Sequence, residues 1–235
     1  MISDGMLLVN KPRGLTSHDV VQILRQRLAC RRIGHTGTLD PAAEGLLILL
    51  VGKATEHQQR LQGHEKTYEG AIRLGSKTET ADADGRVVAS APVPPLSQEI
   101  LEKTLAEFQG ALSQTPPAYS AVKVHGRPAY WWARRQKSVT LQARTVHVHE
   151  FALLGFDAER IHCRVRCSAG TYIRSLAETV AERLGTVGYL ESLTRTSIGE
   201  WSLVDAVDVS WLHSSEPAAI RARIRPVRFA AAAPA

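Results

Sequence analysis

Cysteine is scarce in this chain, and its spacing supports no framework. Of 235 residues only three are cysteines: Cys30, Cys163 and Cys167. An odd count without paired spacing argues against a disulfide-stapled fold. Cys163 and Cys167 would stand about 13 Å apart along one strand, too far to bond. All three read as reduced, packed thiols. Long apolar runs are missing too. The most apolar stretch, residues 46–51 between Gly45 and Gly52, reads as a buried strand, far below the roughly 20 residues of a membrane helix. The opening MISDGMLLVNKPRG carries an early acid and a short apolar run, so it does not read as a signal peptide. The expectation is a soluble, cytoplasmic protein with no membrane partner. No internal repeat is visible.

A third absence is local. Residues 122–149 contain no aspartate or glutamate, yet hold Lys123, Arg127, Arg134, Arg135, Lys137 and Arg144, with Tyr130, Trp131 and Trp132 among them. Cations meet phosphates and rings stack on bases, so this pattern suits a nucleic-acid surface. The alternative is a solvated basic face whose tryptophans anchor in the core. The formal net charge of +6 and pI near 9.5 favour a polyanionic partner.

With 44% hydrophobic residues the chain can bury a real core. Ser17 is positioned to cap a helix running to about residue 28, and Ser97 one running to about 109. A third helix begins near Thr171, with Ile173, Leu176, Ala177, Val180 and Leu184 on one face and Gly185 at its end. Strands read at 6–9, 46–51, 67–74, 118–124, 139–148 and 161–167, with shorter ones at 150–155 and 187–194. In 161–167 the residues Ile161, Cys163, Val165 and Cys167 face one way, and His162, Arg164 and Arg166 the other, which predicts a basic outer face. Few helices, irregularly interleaved with strands, indicate an α+β fold with a mixed or antiparallel sheet. Residues 92–95 and 115–117 are proline-rich connectors, and 230–235 reads as a frayed tail.

One turn calls for a chemical explanation. GHTGTLDP, residues 34–41, puts two glycines, a histidine and one carboxylate on a short segment. Asp40 followed by Pro41 is an ordinary helix start. An unperturbed aspartate, with a pKa of about 3.9, is also ionised at neutral pH and needs no partner base to act.

The longer string GHTGTLDPAAEGLLILLVGKAT, 34–55, resembles the signature of TruB-type tRNA pseudouridine synthases. LLVNKPRGLTSHDVV (7–21), KTYEGAIRLGSKTETADADG (66–85), PPAYSAVKVHGRPAYWWAR (116–134), CSAGTYIRSLAETVAERLG (167–185) and YLESLTRTSIGEW (189–201) resemble the family's other blocks, in order. The resemblance implies a pseudouridine-synthase-like sheet, mainly antiparallel, flanked by helices and RNA-binding loops. It implies isomerisation of uridine 55 in the tRNA T loop, with the nucleotide flipped out and no cofactor or metal. It makes Asp40 the catalytic carboxylate. Tyr68 becomes the active-site tyrosine and Arg174 the arginine that pairs with the aspartate. Tyr172 and Leu193 would shape the uracil pocket, and His35 would take part in flipping. Lys11, Lys123, Arg127, Tyr130, Arg134 and Arg135 are the RNA-contact candidates.

The catalytic domain is expected over 1–212, with an RNA-clasping segment at about 112–138 and a basic segment and tail over 213–235. Residues 213–235 are too few for the family's usual C-terminal PUA domain, and the four arginines of 220–228 read either as a reduced electrostatic grip or as a linker to such a domain. Glu56 stands where the family usually has lysine, and Trp131–Trp132 replace a less aromatic pair. The expected partner is tRNA through its T-arm, without guide RNA or an obligatory protein, and the enzyme is expected to be a monomer. Two other classes compete. A tRNA-binding and folding module would need the basic segment but not Asp40, Tyr68 and Arg174 together. A metal hydrolase would use His147 and His149, but a matching third ligand is missing.

Overall fold

The structure, a computed structural model, describes residues 4–227. The first half of the chain holds β1 (Gly5–Lys11), α1 (Ser17–Leu28), β2 (Ile33–His35), β3 (Glu44–Val51), α2 (Gln58–Gln62), β4 (Lys66–Leu74), β5 (Ser76–Thr78), β6 (Val87–Ser90) and α3 (Gln98–Ala106). Then come β7 (Gly110–Gln114), β8 (Lys123–Val124), β9 (Arg127–Pro128), α4 (Ala129–Ala133), β10 (Arg144–Phe156), β11 (Arg160–Cys167) and α5 (Ile173–Arg183). The chain continues with β12 (Gly188–Ile198), β13 (Trp201–Ser202), β14 (Val207–Asp208), α6 (Val209–Ser214) and α7 (Pro217–Arg223). The fold is α+β and mainly antiparallel, with β1 and β14 paired in parallel. The chain forms two compact units. One runs to His64 and resumes at Arg195; the other is Glu65–Thr194.

In the first unit the strands run β14, β1, β3 and the end of β12, with β2 also paired to β3. The apolar run in β3 is buried because both its faces are covered. Leu47, Leu49 and Val51 pack with Val20, Leu24 and Leu28 of α1, and with Leu212 and Ile220 of α6 and α7. Leu46, Ile48 and Leu50 pack with Met6, Leu8, Leu61 and Trp201. The segment after residue 212 therefore belongs to this core, and Arg225 exchanges backbone hydrogen bonds with Met6 at 2.8 and 2.9 Å. Arg228 and residues 230–235 lie outside the described residues. The cap of α1 is Thr16, one residue before the expected Ser17. Thr16 and Asp19 form a reciprocal capping box, which frees the Ser17 hydroxyl for another bond.

In the second unit the start of β12 is followed by β4, β11, β10 and β7, all antiparallel from β4 onward. β11 alternates as its sequence predicts, with Ile161, Cys163, Val165 and Cys167 buried. Burial pushes the Cys163 thiol up to about 12 and Cys167 to about 11, so both are inert packing groups. The outer face of β11 is not basic, contrary to the alternation read from sequence. Arg164 donates to Glu69 at 2.8–2.9 Å and Arg166 to Glu65 at 3.1 Å. Residues 144–156, expected as parts of two strands, form one strand, with bulges at Val148/Glu150 and Leu153/Gly155 absorbing the broken alternation. The strand expected at 118–124 shrinks to Lys123–Val124, paired only with Arg127–Pro128. α5 starts at Ile173, two residues later than expected, with Tyr172 at its N-cap. No helix among the described residues is long and apolar enough to cross a membrane.

Candidate active site

Asp40 sits, half-buried, on a turn that leads from β2 into β3, with its carbonyl accepting from the Ala43 N–H at 3.1 Å. It starts no helix. The turn is held from two sides. Residues 11–17 form one strap. Lys11 is 0% exposed, and its ammonium donates to the carbonyls of Pro12 at 2.9 Å, Leu15 at 2.8 Å and Ala43 at 2.5 Å. The Gly14 N–H donates to Pro41 O at 2.8 Å. The Ser17 hydroxyl accepts from the Leu39 N–H at 2.8 Å and donates to the Leu39 carbonyl at 3.1 Å. Arg195, 1% exposed on β12, is the second strap. Its guanidinium donates to Leu46 O at 2.7 Å, Gly37 O at 3.1 Å and Thr38 O at 3.4 Å. A buried cation is tolerated only when its donors are satisfied, and here backbone carbonyls satisfy them. Gly45 (φ +104°) permits this approach, since a Cβ there would lie 2.4 Å from Arg195 O.

His35 is placed on the same turn. Burial, then the nearby Arg195 charge, lowers its pKa, and the Gly37 N–H donates to its Nδ1 at 3.3 Å. The ring is therefore neutral with its proton on Nε2. Lys11, grouped with the RNA-contact candidates by sequence, does not face outward. Its ammonium is fully occupied in holding the turn, which corrects that assignment.

The second unit carries Tyr68, Tyr172, Arg174 and Leu193. Tyr68 is on β4 with its side chain buried. Leu193, on β12, lies over β4 at Gly70, where a Cβ would come within 3.3 Å of its Cδ1. Arg174, 5% exposed in the first turn of α5, donates to Thr80 O at 2.8 Å and Tyr119 O at 2.9 Å, and its Nε stands 3.6 Å from Asp82. Asp82 is itself fixed by the Thr80 hydroxyl and the Asp84 N–H. Tyr172 is held through its backbone by Gln114, and Arg144 lies 5.0 Å from its ring centroid.

Lys123, Arg127, Tyr130, Arg134 and Arg135 are all exposed. The rings beside them are already covered. Arg135 stacks 3.7 Å from the Trp131 centroid, Arg127 lies 5.6 Å from it, and Arg134 lies 5.6 Å from Tyr130. Trp132 turns inward and donates from Nε1 to Val124 O at 3.1 Å. His147 and His149 stack with centroids 4.6 Å apart, and among the described residues no group of three or more His, Cys, Asp or Glu is placed to hold a metal. Glu56 pairs with Arg32 at 2.6 Å on the surface.

Sequence reasoning missed Asp82, Gln114, Arg195 and the Ser17 bonds to Leu39. The turn signal DADG marked Asp82, but an aspartate there ordinarily serves only its own turn. Nothing in the sequence distinguishes Arg195 from a surface arginine.

The profile described as TruB family pseudouridylate synthase (N terminal domain) matches residues 25–173. The chain is 44% identical to the tRNA pseudouridine synthase B of Opitutus terrae, over 97% of this chain and 95% of that protein. It is 46% identical to the protein of the same name from an Azoarcus species, over 94% of this chain and 73% of that one. Among solved structures it resembles a chain of a Cbf5-Nop10-Gar1 complex, with a TM-score of 0.71 at 27% identity, covering 94% of this chain and spanning 60% of that one.

Proposed function

The chain belongs to the TruB family of pseudouridylate synthases, and on that premise we propose that it isomerises uridine 55 in the T loop of tRNA, with Asp40 as the essential carboxylate. In this reaction the N1–C1′ bond breaks and a C5–C1′ bond forms. C5 loses a proton, N1 gains one, and nothing is oxidised or reduced. Asp40 serves by attacking the ribose or the base, or by taking a sugar proton. Each role demands a fixed carboxylate, and the strapped turn supplies one. That turn, pinned by Lys11, Ser17 and Arg195 around a half-buried Asp40, is the observation that carries the proposal.

The remaining residues take roles that their surroundings support. Arg174 is the candidate cation of the reaction, with a guanidinium whose orientation is set by Thr80, Tyr119 and Asp82. Tyr68 stacks on the uracil, with Leu193 and Tyr172 enclosing it. His35 fills the gap left by the flipped nucleotide, and a neutral ring does so without desolvating a charge. Residues 123–135 grip phosphates rather than bases, because guanidiniums occupy the ring faces. The enzyme works on tRNA alone, as a cytoplasmic monomer without a guide.

The test is tritium release from a tRNA transcript labelled at uracil C5. Wild type should release about one equivalent per tRNA, and none from a transcript lacking uridine 55. The Asp40→Asn variant should release none. Release that survives loss of uridine 55 would move the target elsewhere. Salt-dependent tRNA binding without any release by wild type would favour a binding and folding module.

A further inference from the structure

We infer that Gln114 is a positioning residue for this reaction: with Arg144 beside it, its side-chain amide fixes Tyr172 and thereby the first turn of α5, which carries Arg174. The inference rests on the reaction proposed above.

Gln114 ends β7 and is 7% exposed. Its Nε2 donates to the Tyr172 carbonyl at 3.0 Å, and its Oε1 accepts from the Tyr172 N–H at 2.8 Å. One side chain thus imitates a neighbouring strand for a residue that lies in no strand. Tyr172 is the N-cap of α5 and makes no side-chain cap bond of its own. Its N–H is held from outside the helix, and its carbonyl is shared between Gln114 and the Leu176 N–H at 3.2 Å. The ring is held from the same place. Arg144 is the register partner of Gln114 across β7 and β10, and its guanidinium lies 5.0 Å from the Tyr172 centroid. A pair of facing strand residues thus grips one tyrosine, the first by its backbone and the second by its ring.

This grip is not needed to make the helix. Ile173, Leu176, Ala177 and Val180 bury an apolar stripe that stabilises α5 regardless. What Gln114 adds is the rotation and height of the helix entry. Arg174 is two residues further on, so a shift at Tyr172 is passed directly to its guanidinium. A displacement near 1 Å in such a group reduces rates by up to about a hundredfold.

Gln114→Glu separates positioning from mere support. The ionised carboxylate accepts from the Tyr172 N–H but cannot donate to the Tyr172 carbonyl. The protonated carboxyl does both, as the amide does. Burial at this 7% exposed position and the Tyr172 carbonyl facing the side chain favour the protonated form, against the pull of Arg144 from β10, so lowering the pH toward about 6 restores the pair. Single-turnover tritium release is measured with enzyme in saturating excess, so that the rate constant reflects the assembled complex and not the folded fraction. At about pH 8.5 the glutamate variant should be about tenfold slower than wild type, and at about pH 6 within about threefold of it. Gln114→Met should be about thirtyfold slower at both, with tRNA affinity within about twofold of wild type. A ratio of glutamate variant to wild type that stays flat between the two pH values overturns the inference. A folded methionine variant at wild-type rate does the same. If the methionine variant does not fold, the glutamate variant decides alone. Wild type that releases no tritium overturns the proposed reaction and this inference with it, whereas active wild type with a flat ratio removes only the inference.

Discussion

The turn at 34–45 and the segment at 118–137 both depend on cations, and they use them in opposite ways. Under the turn, Lys11 and Arg195 are buried at 0% and 1% exposure and spend their donors on backbone carbonyls. In the segment, Arg127, Arg134 and Arg135 are exposed and lie over the faces of Trp131 and Tyr130. A buried cation bonded to several carbonyls admits one arrangement, because any other leaves a charge without partners. An exposed guanidinium on a ring keeps its outward donors available for a phosphate. The first arrangement suits a group that must be aimed, the second a surface that must follow a flexible polyanion.

The largest expected effect comes from the aimed group itself. Asp40→Asn should lower the single-turnover rate by at least about a thousandfold, while tRNA affinity measured by filter binding stays within about twofold. Equal losses in rate and affinity would break the division between aiming and gripping. Next is the strap. Arg195→Met leaves the carbonyls of Gly37, Thr38 and Leu46 without their donor. Denaturant unfolding should show a loss of about 3 kcal/mol, and the rate should fall more than the affinity. A loss below about 0.5 kcal/mol would mean that the turn is held by something else.

The same contrast marks how far the sequence can be read. The run in β3 reads as a buried strand from composition alone, and the alternation in β11 correctly turns Cys163 and Cys167 inward. The neutral outer face of β11 is not legible, because Glu69 on β4 and Glu65 just before it are 95 and 101 residues away from their partners. Asp40 stands out because a tight turn has no need of it. Its straps do not, since Lys11 reaches Ala43 across 32 residues and Arg195 reaches Gly37 across 158. A lysine or arginine in a sequence carries the prior of a surface residue, and only the folded chain shows which ones are enclosed. That prior misplaced Lys11 among the RNA contacts. It placed the cations of 123–135 at the surface, where they are, but could not show that their rings are already covered.

The gripping surface is tested by salt. Replacing Arg127, Arg134 and Arg135 together by alanine should weaken tRNA binding about tenfold near physiological salt, and should reduce the slope of log affinity against log salt by about 2 to 3. The rate at saturation should not change. Trp131→Ala should weaken binding by a smaller factor, since it removes the support of two guanidiniums but not their charge. A tryptophan effect larger than the arginine effect, with the slope unchanged, would mean that the ring stacks on bases after all.

The smallest effect is the sharpest in sign, and it returns to Lys11. Burial lowers its pKa from 10.5 to about 8, with the Arg195 charge acting in the same direction and Asp40 and Glu44 opposing. The unfolded chain keeps that proton up to its ordinary value, while the folded chain releases it from about 8 upward. Between those values the unfolded state binds more protons, so this residue's contribution to stability rises with pH. Its contribution to the reaction should fall over the same range. A neutral amine has two donors for the three carbonyls of Pro12, Leu15 and Ala43 that the ammonium serves, so the turn loosens as the proton leaves. Measured against Lys11→Met, which removes both trends, wild type should gain thermal stability above about pH 8 and lose about threefold in single-turnover rate. Stability and rate moving in the same direction would show that the ammonium is not what holds the turn. Opposite movement would tie the rate to the aim of the turn rather than to the stability of the fold.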